Sequence, residues 1–83
     1  MTWLARVYVL PKEEVLDPQG EAIGSALRHL GFETVGSVRS GRLFDLHITA
    51  QNRTEAENQA DEAARQLLCN TVVETYTVTV VEQ

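Results

Sequence analysis

The sequence has a single cysteine, Cys69, so it forms no internal disulfide and fits a reducing cytoplasmic setting. Aromatic residues make up only 6% of the chain, too few for a platform of stacked bases. Basic residues are also scarce: 7 Lys and Arg stand against 12 Asp and Glu, for a formal net charge of -5. An acidic chain repels phosphate, which argues against nucleic acid and anionic membrane as partners. No apolar run approaches the ~20 residues of a membrane span. No basic stretch followed by an apolar one marks a secretory leader. A glycine-rich phosphate loop of the ATP-binding type is missing as well.

What is present is a sufficient supply of apolar residues, 43% of the chain, for one small domain over residues 1–83. A chain of this size buries only a little over ~60% of its unfolded surface, so association with other chains is a natural source of stability. Trp3, Ala5, Val7 and Val9 alternate as one face of a strand that Pro11 stops. Asp17 is placed to cap a helix, Pro18 suits its first position, and Gly31 suits its end. Ile23, Ala26, Leu27 and Leu30 make one face of that helix. Val35 to Arg39 and Leu43 to Ala50 read as two strands joined by a tight Ser40-Gly41 turn. A second helix is expected from Thr54, with Glu57 at capping-box spacing, an apolar stripe through Ala56, Ala60, Ala63, Ala64, Leu67 and Leu68, and a left-handed Asn70 at its end. A last strand runs from about Val73 to Val81. The order is β-α-β-β-α-β. The expected fold is α+β, ferredoxin-like, with two helices on one face of an antiparallel sheet.

The opposite faces of the strands carry Leu4, Arg6, Tyr8 and Leu10, then Leu43, Asp45 and His47. Exposed Leu and Tyr in one patch point to a protein contact, so Leu4, Tyr8, Leu10 and His47 are candidates for an interface between copies of the chain. Gly20 is a second anomaly. Inside a first helical turn it costs up to ~1 kcal/mol relative to Ala, and local stability does not ask for it. Beside a cap and the Gln19 amide, it would let a backbone or an anion come close.

The chain resembles PurS, the small subunit of the multi-subunit phosphoribosylformylglycinamidine synthase of purine biosynthesis. The resemblance is carried by Val7-Tyr8-Val9, Val15-Leu16-Asp17-Pro18-Gln19-Gly20, Ala26-Leu27, Leu30-Gly31, Val38-Arg39 with Gly41-Arg42, and Leu67-Leu68, Asn70, Val73-Glu74 and Tyr76 in order. Lys12-Glu13-Glu14 is more acidic than the family's usual loop at that place. The resemblance implies a cytoplasmic subunit with no activity of its own. It would dock the glutaminase PurQ onto the synthetase PurL and help transfer ammonia. ATP and magnesium would be used by the synthetase partner, with no cofactor held by this chain. It implies self-association as a dimer or tetramer. Partner-binding candidates are Asp17, Pro18, Gln19, Gly20, Arg39, Gly41, Arg42 and Asn70.

The residues themselves offer little for catalysis. Cys69, beside Leu67 and Leu68, reads as a small buried thiol, since an unactivated cysteine behaves as a hydrophobe. His29 and His47 have no metal-ligand spacing with it. The acidic residues Glu55, Glu57, Asp61 and Glu62 read as a solvated helix face. The competing reading is a regulatory α+β domain that senses a small molecule beside Gly20 and Gly24.

Overall fold

A computed structural model describes all of Met1–Gln83. The strands are β1 (Thr2–Pro11), β2 (Arg42–Thr49) and β3 (Glu74–Glu82), and the helices are α1 (Pro18–His29) and α2 (Arg53–Ala63). β1 is the central strand of an antiparallel sheet ordered β2-β1-β3. Val7 lies opposite Phe44 on one side and Val78 on the other.

The alternation in β1 does what it promises. Ala5, Val7 and Val9 are fully buried beneath α2, while Arg6, Tyr8 and Leu10 face the other way and are exposed. The helix side of this layer is built from small residues: Ala56, Ala60 and Ala64 have no exposed surface. With no long side chains between, helix and sheet approach closely. Trp3 closes one end of the core, donating its indole N–H to the Ala50 carbonyl at 3.2 Å, with the Arg53 guanidinium 5.6 Å above its ring.

Several expectations need correction. Val35 to Arg39 is not a strand, and Ser40-Gly41 is not a hairpin turn, so the sheet has three strands rather than four. The polar groups of this segment are met elsewhere. Arg28 bonds the Val35 and Gly36 carbonyls at 3.3 and 3.0 Å, and Asp17 takes the Ser40 N–H at 2.7 Å. With these partners the segment does not enter the sheet's hydrogen bonding.

Helix α1 starts and ends as the sequence implies, with Pro18 first and Gly31 at φ 104 just beyond. It does not share the sheet face with α2, however. Only Gly20 and Gly24 are buried in it, and neither apolar cluster of the core contains an α1 residue. Ile23 and Leu30 stay exposed because α1 is tied to the 35–40 segment beyond the sheet's end.

Helix α2 is capped by Asn52, whose side chain accepts the Glu55 N–H at 2.8 Å; Thr54 is not the cap. Asn70 is not left-handed either. The helix widens into a π-helical turn, Ala64–Leu68, closed by the Cys69 N–H to the Ala64 carbonyl at 2.9 Å. That turn leaves Leu67 outside the apolar stripe and 84% exposed.

The close helix–sheet spacing sets a direct test. Replacing Ala60 with Leu inserts a side chain where none fits, and should destabilise the fold by about 1–3 kcal/mol. Urea unfolding of Ala60→Leu checks this. The opposite change at an exposed position, Leu67→Ala, should cost little.

Candidate docking site

The motif residues gather at one end of the sheet, where β1 leaves through Pro11 and β2 and β3 begin. Asp17 organises this end. One carboxylate oxygen accepts the Gly20 N–H at 3.0 Å as the helix cap, and the other accepts the Ser40 N–H at 2.7 Å. The Asp17 carboxyl is buried and held below its ordinary value of 3.8, first by the Ser40 N–H, then by that of Gly20, with Arg39 adding its charge.

Gly20 has a structural cause invisible in its local sequence. A Cβ on Gly20 would come closer than 3.0 Å to the Val38 carbonyl and to an Asp17 carboxylate oxygen. The backbone that glycine admits is therefore the chain's own, and the expectation that fold stability makes no demand here is wrong. Gly24 faces the same segment, with Val38 Cγ2 at 3.4 Å from where its Cβ would be. Val38 packs against both glycines and forms part of the wall of an open cleft beside them. Gly41 repeats the device: its missing Cβ makes room for the Val9 carbonyl.

The two arginines have different surroundings. Arg39, although exposed, lies along the chain's own turn and donates to the carbonyls of Pro11 at 3.1 Å, Lys12 at 2.5 Å and Val15 at 3.4 Å. Arg42 lies across the sheet end, 2.7 and 2.8 Å from the two Glu74 oxygens, with its guanidinium 5.6 Å from the Phe44 ring. Glu74 also accepts the Asn70 N–H at 2.8 Å, and this bond, then Arg42, holds its carboxyl below its ordinary value of 4.5. The Asn70 carbonyl receives the N–H groups of Val73 and Glu74, and its side chain that of Val72. Gln19 is exposed and leaves its amide free. An open cleft of 760 Å³ runs between the 13–16 loop, the start of α1 and residues 36–39.

Three members of this end were not singled out as site residues from sequence. Glu74 had a signal, its fixed place four residues after Asn70. Arg28 and the Val38 carbonyl had none, because their contacts depend on the path of the 35–40 segment.

On the outer sheet face, Leu4 is half-buried, Tyr8 and Leu10 are 42% and 44% exposed, and His47 is exposed with Nδ1 2.8 Å from Gln83 Oε1. Cys69 is buried, and burial, with the Glu74 carboxylate nearby, pushes its thiol above the ordinary 9.0. His29 is exposed, with Nδ1 3.0 Å from the Ser25 carbonyl oxygen. No three His, Cys, Asp or Glu side chains come together as a metal site, and no helix is long and apolar enough to cross a membrane.

A small α+β chain whose motif residues brace its own loops, with a sheet face and a helix face uncovered, is an association module. Residues 4–82 match the PurS family, described as phosphoribosylformylglycinamidine (FGAM) synthase. The chain is 43% identical over 75 residues to the phosphoribosylformylglycinamidine synthase subunit PurS of Archaeoglobus fulgidus, covering 90% of this chain and 94% of that one. It superposes on Thermus thermophilus PurS with a TM-score of 0.90 at 33% identity, covering 100% of this chain and 99% of that one. A chain of the PurLQS structure from Thermotoga maritima matches with a TM-score of 0.90 at 31% identity, covering 98% and 99%. The chain belongs to the PurS family.

Two outcomes follow from the bracing. Gly20→Ala should destabilise the fold by about 1–3 kcal/mol, against the helix-propensity gain of up to ~1 kcal/mol, because the Val38 carbonyl must move. Thermal unfolding of the variant reads the sign. The second concerns acid. Asp17 and Glu74 titrate lower in the folded chain than their ordinary 3.8 and 4.5, so their stabilisation is complete above those values and lost as pH falls through the lower, folded ones. The melting temperature should drop between about pH 5 and about pH 3, less steeply in Asp17→Asn/Glu74→Gln. Glu62, bonded to Gln66 and Arg65, keeps some acid sensitivity in the variant.

Proposed function

We propose that this chain is the non-catalytic small subunit of the FGAM synthase complex, docking the glutaminase PurQ onto the synthetase PurL and assisting ammonia transfer. The observation that carries the reading is a likeness over nearly the whole chain to PurS subunits, joined to a like chain in a PurLQS structure. The chemistry supports it. A glutaminase needs an activated thiolate beside a base, whereas the Cys69 thiol is buried with a raised pKa. ATP and magnesium belong to the synthetase partner, and the setting is the cytoplasm.

Self-association is part of the proposal, and magnitudes support it. A compact monomer of 9.2 kDa exposes about 4,900 Å². This chain exposes 5759 Å², an excess of roughly 800 Å² that matches one side of a standard interface. Its radius of gyration is 16.0 Å, against about 12 Å for a compact chain of this length. The apolar faces of α1 and of the outer sheet, with Leu4, Tyr8, Leu10 and His47, are the surface a second copy would cover. Asp17, Pro18, Gln19, Gly20, Arg39, Gly41, Arg42 and Asn70 form the end that meets the enzyme subunits, some as contacts and some as supports.

The test is reconstitution. The pure chain should hydrolyse no glutamine. Added to PurL and PurQ, it should raise glutamine-dependent FGAM formation at least about tenfold, and Cys69→Ser should do the same. Light scattering should give a dimer or tetramer. Glutamine hydrolysis by the chain alone that Cys69→Ser abolishes, or a monomer at tens of micromolar, would count against the corresponding part.

A further inference from the structure

The geometry points to a role for Arg39 other than touching a partner: we propose that it is a positioning residue, which holds the Pro11–Val15 turn in shape so that Leu16 can enter an apolar pocket of an enzyme subunit. The inference rests on the docking role proposed above and names one contact within it.

Arg39 forms no ion pair with a carboxylate. Its guanidinium instead reaches three carbonyls of one turn: Pro11 at 3.1 Å, Lys12 at 2.5 Å and Val15 at 3.4 Å. All three accept from Nη2, with Nη1 also 3.4 Å from the Val15 carbonyl; a Lys side chain ends one atom short of that position and carries no second nitrogen. The turn is fastened twice more. The Lys12 N–H bonds the Val73 carbonyl at 2.9 Å, and the Val15 N–H bonds the Lys12 carbonyl at 3.0 Å.

All this order holds a segment that the core does not use. No residue from 11 to 17 belongs to either apolar cluster of the core. Fixing a loop costs conformational entropy, and a loop fixed in its bound shape binds more tightly because that cost is already met. The side chain so presented is Leu16, 69% exposed beside the fully tied Asp17. Glu13 and Glu14, exposed on the same turn and in no ion pair of the chain, favour a cationic rim around the pocket. The partner is thus a protein surface with an apolar notch bordered by Lys or Arg.

A double-mutant cycle tests this. Wild type, Arg39→Ala, Leu16→Ala and the double variant are titrated into fixed PurL and PurQ, and glutamine-dependent FGAM formation is followed. Each single change should raise the half-saturating concentration about tenfold, with the shift there rather than in the plateau. The double variant should be little worse than either single, because both act through one contact. Arg39→Lys, which keeps the charge but falls an atom short of the carbonyls, should behave like Arg39→Ala. Hydrogen exchange on the free Arg39→Ala chain should quicken at the Lys12 and Val15 amides and stay unchanged in β1 and β3. An additive loss of about a hundredfold would make Arg39 a direct contact and overturn the proposal. So would full rescue by Arg39→Lys, or wild-type behaviour of Leu16→Ala. If Arg39→Ala loses the sheet's protection, Arg39→Lys decides alone. If the wild-type chain activates nothing, the docking role itself fails and takes this inference with it.

Discussion

One carboxylate joins the two halves of the motif-bearing end of this chain. Asp17 is at once the cap of α1 and the acceptor for the Ser40 N–H. The first role sets where the helix starts; the second sets where the 35–40 segment runs. Once that segment is laid against α1, the Val38 carbonyl must sit where a Gly20 side chain would be. Arg39 is then delivered to the β1–α1 turn. Remove the carboxylate, and the 35–40 segment keeps only its Arg28 bonds to α1.

Two arginines three residues apart illustrate how one charge type does different work. Arg42 meets a carboxylate and an aromatic ring, so its charge is balanced locally. Arg39 donates only to carbonyls and forms no ion pair, its charge reaching the Asp17 carboxylate from beyond salt-bridge range, so its main value lies in geometry. Counting basic residues on a surface could not separate these cases.

The elements legible in the sequence are those fixed by neighbours along the chain. β1 and β3 show in their alternation, α1 in its Asp-Pro start and its glycine end, and the buried Cys69 in its apolar company. What was not legible depends on residues far apart. Val38-Arg39 has the composition of a strand, yet its partners lie more than twenty residues earlier. Gly20 looks permissive from within its own turn, and only a carbonyl eighteen residues away shows it to be obligatory. The outward swing of Leu67 follows from a π-helical turn that no periodicity of 3.6 anticipates. The motif residues do come together at one end of the sheet, although the sequence does not reveal what each of them touches.

The uncovered apolar face of α1 gives the chain two tiers of durability. The sheet and α2 hold each other through a closed alanine-lined core. Helix α1 is retained by its cap, by Arg28 and by the 35–40 strip, with Ile23 and Leu30 in water. Local opening there costs less than global unfolding. Whatever covers this face raises that cost by mass action. Susceptibility to proteolysis thereby becomes a readout of occupancy: a copy without its associates exposes a cleavable segment while its core is still folded.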